Sequence, residues 1–107
     1  MVFFYKKILL SKRFEDHKGI FKSLNDGELP VNSFLICINR NSTNLMDIYF
    51  SGEIHKPYIK TDGLLLIAVC KDKNDAKNTC VKIISDFLGE NKDLDEFKNT
   101  FFYSNTR

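Results

Sequence analysis

Several features that signal familiar chemistry are scarce in this chain of 107 residues. Its five glycines stand at positions 19, 27, 52, 63 and 89, and none belongs to a GxGxxG or GxxxxGK[ST] phosphate-binding pattern. The GxSxG, HExxH and SxxK motifs of common hydrolases are also missing. These gaps exclude nucleotide binding through those loops, and we expect the domain to use no cofactor.

Cysteine is equally sparse, and its three positions are far apart: Cys37, Cys70 and Cys80. An odd number of widely spaced cysteines makes a poor disulfide framework. No CxxC pair occurs, and His17 and His55 are distant in sequence, so a structural zinc site is not expected. The pattern favours free thiols in a reducing compartment, the cytoplasm.

Long apolar runs and a strong net charge are lacking as well. No window approaches the roughly 20 apolar residues of a membrane span. The formal net charge is +2, from 16 basic and 14 acidic residues, which does not indicate the strongly basic face of a nucleic-acid binder. Charged residues make up 28% and hydrophobic residues 43%, which is typical of a globular chain, and the length fits one domain, residues 1–107.

The sequence does contain clear alternation and helical spacing, which together predict seven elements in the order β-α-β-β-β-α-α. The clearest helix lies between Asn74, a predicted N-cap, and Gly89, because apolar residues from Ala76 to Leu88 fall on one helical face. The other predicted elements are strands at Val2–Leu10, Ser33–Asn39, Leu45–Ile54 and Leu64–Cys70, and helices at Phe14–Leu24 and from Leu94 to about Tyr103.

These elements predict a single α+β domain. The segments SFLICIN and LLLIAVC are apolar on both faces, so both strands are expected in the middle of the sheet. The strand from Leu45 to Ile54 alternates apolar and polar residues, as expected when only one face is buried. The simplest arrangement is an antiparallel meander sheet with the helices packed mainly on one face.

One polar cluster is a candidate for catalysis: Glu53, His55, Tyr58 and Asp62 lie close together in sequence near a predicted turn. A carboxylate beside a histidine can orient the imidazole as a general base. No nucleophile accompanies them, and a solvated strand edge explains the same residues.

The C-terminal segment is rich in aromatic residues: Phe97, Phe101, Phe102 and Tyr103. On a helix, three of them can pack inward, and Phe101, Phe102 and Tyr103 are the candidates for a protein-binding or dimer surface. The alternative is a helix whose aromatic side chains all dock on its own sheet.

The N-terminal segment FFYKK combines aromatic residues with Lys6 and Lys7. Aromatic rings on a sheet can stack on bases while lysines hold phosphates. The alternative is a first strand whose aromatic residues belong to the core.

Taken together, the sequence favours a non-enzymatic binding or regulatory domain that acts through protein–protein contact or self-association. A small enzyme centred on His55 is one alternative. A nucleic-acid-binding domain that uses Lys6 and Lys7 is the other.

Overall fold

The computed structural model describes residues 3–11, 14–54, 56–59, 63–90 and 93–104. Its elements follow the predicted order and confirm the α+β class. The bounds are β1 Phe3–Leu10, α1 His17–Asn25, β2 Phe34–Asn39, β3 Asp47–Phe50, β4 Leu64–Cys70, α2 Lys73–Gly89 and α3 Phe97–Ser104, with a 3-10 turn Leu94–Glu96 directly before α3.

The topology of the sheet corrects the predicted antiparallel meander. In the described residues the strand order is β1-β4-β2-β3. Strand β1 is parallel to β4, whereas β2 is antiparallel to both β4 and β3, so the sheet is mixed. All seven residues of β4 are buried, and a strand that is apolar on both faces gains most from a position between two other strands.

The sheet separates two hydrophobic cores. Helices α2 and α3 pack on one face, as predicted for most of the helices, whereas α1 covers the opposite face together with Ile54 and Ile59. Because both faces are covered, the two central strands need apolar residues at every position. The α2 side contains Ile36, Ile38, Leu65, Ile67, Ala68 and Cys70, and the α1 side contains Leu35, Cys37, Leu64, Leu66 and Val69.

Helix α2 follows β4 directly and begins with a side-chain cap. The carboxylate of Asp72 accepts a hydrogen bond of 2.8 Å from the backbone N–H of Asp75, so Asp72 is the N-cap and not Asn74. Ala76, Ile83 and Phe87 are the buried residues of the helix.

In the described part of the chain, no helix combines the length and the apolar character that crossing a membrane requires.

The strand pairing is irregular on both sides of β4. The register between β1 and β4 shifts between Phe4 and Leu9, and the register between β2 and β4 shifts between Ile36 and Cys37. Strand β1 is at one edge of the described sheet. An irregular edge strand with lysines at its centre is poorly suited to pairing with an arbitrary second strand.

Candidate functional site

The predicted polar cluster around His55 is only partly described. His55 and Asp62 lie outside the described residues. Glu53 and Tyr58 both lie at the surface, and Tyr58 is 70% exposed. The hydrogen bonds described for this loop join backbone groups, from Lys56 N–H to the carbonyl of Glu53 and from Ile59 N–H to the carbonyl of Lys56. The described residues therefore do not bring Glu53 and Tyr58 into a shared hydrogen-bond network.

The predicted basic segment lies in β1, the edge strand. The side chain of Lys7 is exposed, and that of Lys6 lies outside the described side chains. Alternation along the strand places Lys7 on the same sheet face as Tyr5 and Leu9. Phe4, Ile8 and Leu10 face the α1 side, where they pack against the second core.

The aromatic residues of the C-terminal segment lie partly in the core and partly at the surface. Phe97 is fully buried, while Phe101 and Phe102 are half-buried and pack against the α2-side core. The side chain of Tyr103 lies outside the described side chains. The guanidinium of Arg40 lies 4.4 Å from the centre of the Phe102 ring, which gives that ring a cation–π contact within the chain.

A continuous series of ring contacts connects α2, α3 and β1. The ring centres of Phe87 and Phe97 are 5.0 Å apart, those of Phe97 and Phe101 are 5.0 Å apart, and those of Phe101 and Tyr5 are 5.1 Å apart. The rings are inclined to one another by 52° to 75°, which avoids the unfavourable face-to-face arrangement. The C-terminal helix is therefore held against both α2 and the first strand.

A lysine connects α3 to the end of β2 and the loop that follows it. The Lys98 ammonium donates a hydrogen bond of 2.8 Å to the carbonyl of Asn39, at the end of β2, and a second one to the carbonyl of Ser42. Asn39 is the last residue of β2, and Ser42 belongs to the connection between β2 and β3. These charge-assisted bonds set the position of α3 relative to the sheet, and with it the position of Phe101.

Beside this aromatic series lies an open cavity of about 250 Å³ between β1, α2 and α3, which we name the β1–α2 groove. Its apolar surface comes from all three elements, and its lining among the described residues includes the charged side chains of Asp86 and Glu90. On the β1 side of the groove, the Leu9 side chain is 48% exposed. The described residues that line it are Tyr5, Leu9, Ile83, Asp86, Phe87, Glu90, Thr100 and Phe101.

The size of the groove indicates the class of ligand that fits it. Sites for drug-sized ligands and cofactors usually enclose about 300–1,000 Å³ and bury most of the ligand. The β1–α2 groove is smaller, at about 250 Å³, and it is open to solvent. It can accommodate one or two side chains of a partner protein.

The three cysteines have the properties of core residues. Burial raises the pKa of the Cys37 thiol to about 12 and that of Cys70 to about 11, and it also raises the pKa of Cys80. Asp47 adds to the shift at Cys37, whereas a contact of 3.6 Å with the Thr79 hydroxyl partly offsets the shift at Cys70. A thiol with a raised pKa is a weak nucleophile at neutral pH because little of it is ionised.

Of the eight described lining residues, sequence reasoning singled out Phe101 as a candidate for protein binding and Tyr5 as part of the FFYKK segment, and it missed the other six. Asp86 lies in α2 and Glu90 is its C-cap, four residues further on, so the two are on the same side as Ile83 and Phe87. This spacing is visible in the sequence. What is not visible is that β1 lies against that side of the helix, because the contact depends on the parallel pairing of β1 with β4.

Comparisons with protein-family models, curated proteins and solved structures found no match for this chain. Within the described ranges, no group of three or more histidine, cysteine, aspartate or glutamate side chains is placed to hold a metal ion.

Proposed function

We propose that this chain is a non-enzymatic binding domain that contacts a protein partner through the β1–α2 groove. The observation that carries the proposal is an open groove, lined by both apolar and polar surface, beside β1 at one edge of the described sheet. A pocket of this kind, with aromatic walls and a charged margin, resembles the sites at which a few anchoring side chains supply most of the binding energy of an interface.

The exposure of Leu9 supports this proposal. Leu9 is 48% exposed although it lies in a strand and points toward the aromatic series. Burying the remaining apolar surface of such a side chain stabilises a complex by about 1 kcal/mol, at roughly 25 cal/mol per Å². A partner that fills the groove would gain this contribution together with contacts to Tyr5 and Phe101.

The two alternative functions receive less support from the described residues. Glu53 and Tyr58 are separate surface side chains, and the cysteines have raised pKa values. Lys7 shares its sheet face with a groove whose described lining includes the carboxylates of Asp86 and Glu90. These carboxylates would repel phosphates, which supply most of the affinity for nucleic acid.

The test is a selection of random dodecapeptides, displayed on phage, against the immobilised full chain. The affinity of each enriched peptide is then measured by fluorescence anisotropy with wild type, Leu9→Gln and Leu88→Gln. Leu88 is the matched control because it is 47% exposed, like Leu9, but lies outside the groove. Both substitutions leave the net charge unchanged.

We expect Leu9→Gln to weaken binding about fivefold, since a loss of about 1 kcal/mol raises a dissociation constant by that factor. Leu88→Gln should change it by less than about twofold. Peptides that bind all three proteins equally, or a selection that enriches none, would contradict the proposal.

Sedimentation velocity over a wide range of protein concentrations identifies whether the partner is a second copy. A concentration-dependent dimer that Leu9→Gln dissociates would assign the groove to self-association. A monomer at every concentration would assign it to a different protein.

A further inference from the structure

The connection between β2 and β3, residues 40–46, is tied to α3 by a lysine. The Lys98 ammonium donates to the carbonyl of Asn39, at 2.8 Å, and to the carbonyl of Ser42. The backbone N–H of Ser42 donates to the same Asn39 carbonyl. These three bonds close one turn of the chain against the ammonium, and Lys98 can hold both carbonyls only while this turn, which we name the Asn39–Ser42 turn, is closed.

A second contact joins the same side of α3 to this connection. Phe102 lies one helical turn after Lys98, and the Arg40 guanidinium lies 4.4 Å from the centre of its ring. Phe97 and Phe101 are also one helical turn apart, and they occupy the neighbouring side of the helix, where Phe101 lines the groove. Since α3 has only 8 residues, about two turns, a shift on one side moves the other side with it.

From this arrangement we infer that the β2–β3 connection regulates the groove, because α3 transmits the state of the Asn39–Ser42 turn to Phe101. The inference rests on the proposed function and concerns the regulation of that same groove. With the turn closed, the Phe101 ring is held 5.1 Å from that of Tyr5 and forms its wall of the groove. When the turn opens, Lys98 loses both acceptors and Phe101 is free to shift, so a partner binds the closed state more tightly.

Coupling of this kind is reciprocal. If closing the turn raises the affinity for a partner by some factor, then the partner favours the closed turn by the same factor. Couplings between sites typically change an affinity by about 5–150-fold, and we expect about fivefold, at the low end. The reason is that the turn keeps bonds of its own without Lys98, from the Asn41 N–H to Asn39 Oδ1 and from the Asn44 N–H to Ser42 Oγ.

The first test measures how tightly the peptides enriched on wild-type protein bind to Lys98→Met. Methionine keeps an unbranched side chain but has no group that donates to the two carbonyls, so binding should be about fivefold weaker than to wild type. The matched control is Lys22→Met, the same substitution at an exposed lysine of α1 on the opposite face of the sheet, and it should leave the affinity unchanged. All three proteins are measured well below their melting temperatures, so that only folded protein contributes.

The second test is hydrogen exchange at the amide of Ser42, whose N–H is bonded inside the turn. A saturating peptide should slow this exchange about fivefold in wild type and leave it unchanged in Lys98→Met. The control is the amide of Gly27, which donates to the carbonyl of Leu24 at the end of α1 and should not respond. A lysine that only stabilised the fold would not connect a peptide in the groove with the Ser42 amide.

The outcomes separate this inference from the proposed function. Peptides that depend on Leu9 but bind Lys98→Met as tightly as wild type, or that leave the exchange of the Ser42 amide unchanged in wild type, would refute the regulation and leave the groove as the binding site. Peptides that ignore Leu9→Gln, or a selection that enriches none, would refute both. If Lys98→Met does not fold, the response of the Ser42 amide in wild type decides alone.

Discussion

Truncation of Phe97 to alanine is expected to unfold much of the structure that supports the groove. Phe97 is fully buried at the start of α3, with the rings of Phe87 and Phe101 each 5.0 Å away. Its removal leaves a cavity and breaks two aromatic contacts, and Phe→Ala changes at buried sites cost about 3–5 kcal/mol. Since domains of this size are stable by about 5–15 kcal/mol, the variant should lose a large share of its stability.

The assay is urea unfolding followed by far-ultraviolet circular dichroism, because the chain has no tryptophan. With an m-value of about 1–3 kcal/mol per molar urea, a loss of 4 kcal/mol, taken as about the middle of the expected range, lowers the midpoint by about 2 M. The control is Phe21→Ala, since Phe21 is 44% exposed on α1 and should lose less than about 1 kcal/mol.

The refuting result for this prediction is a Phe97→Ala variant that loses no more stability than Phe21→Ala. Such a variant would mean that α3 is not docked through its aromatic side chains. The wall of the groove that Phe101 provides would then lack its support.

The remaining predictions concern a hydrogen bond, a thiol and a cation–π contact. Ser51→Ala should destabilise the domain by about 1–3 kcal/mol in urea unfolding, because it leaves the buried backbone N–H of Ser33 without the hydroxyl that accepts it at 3.1 Å; an unchanged midpoint would contradict this role. The pKa of the Cys37 thiol is about 12 in the folded state and near 9 when unfolding exposes it. The stability that the folded state gains from this difference is therefore fully present below pH 9 and is lost as the pH rises toward 12. Between pH 8.5 and pH 10.5 the free energy of unfolding should therefore decrease less for Cys37→Ala than for wild type. Equal decreases would contradict the raised pKa of this thiol. Arg40→Gln should lower the free energy of unfolding by about 0.5–1 kcal/mol, because it removes the cation–π contact with Phe102, and the shift in melting temperature measures this loss. In a protein that already carries Phe102→Leu, the same Arg40→Gln substitution should be nearly neutral.

Patterns within each segment predicted the elements of the fold well. The two-sided apolar strands SFLICIN and LLLIAVC became the central strands β2 and β4, because only strands covered on both faces tolerate so little polarity. The apolar face of α2 was predicted correctly for Ala76, Ile83 and Phe87, which are buried, whereas Leu88, assigned to the same face, is 47% exposed. Its N-cap was not, because Asp72 and Asn74 are both good caps and only the backbone geometry decides between them.

The pairing of the strands could not be predicted from the same patterns. The alternation of β3 is compatible with a place beside either central strand, and the apolar character of β1 says nothing about which strand it joins. The sheet order places β4 next to β1 although more than 50 residues separate them, Leu10 being the last residue of β1 and Leu64 the first of β4. The groove follows from that pairing, which is why its residues from β1 and α2 were not grouped beforehand.

The site was therefore predicted only where one element supplied the signal. Phe101 belongs to a dense aromatic segment, and such a segment at the surface indicates binding or docking. The carboxylates of Asp86 and Glu90 have an ordinary explanation as solvent-facing residues of a helix, and only the position of β1 beside them makes them part of a groove.

The most direct test of the central claim is a methyl nuclear magnetic resonance titration of the isotope-labelled chain with a peptide enriched by the selection. The methyl groups of Leu9 and Ile83 report on the groove, and those of Val81 and Leu88, which are 65% and 47% exposed, report on α2 outside it. The account predicts saturable shifts at Leu9 and Ile83 with Val81 and Leu88 unchanged. Shifts centred on Val81 and Leu88, with Leu9 and Ile83 unchanged, would contradict it.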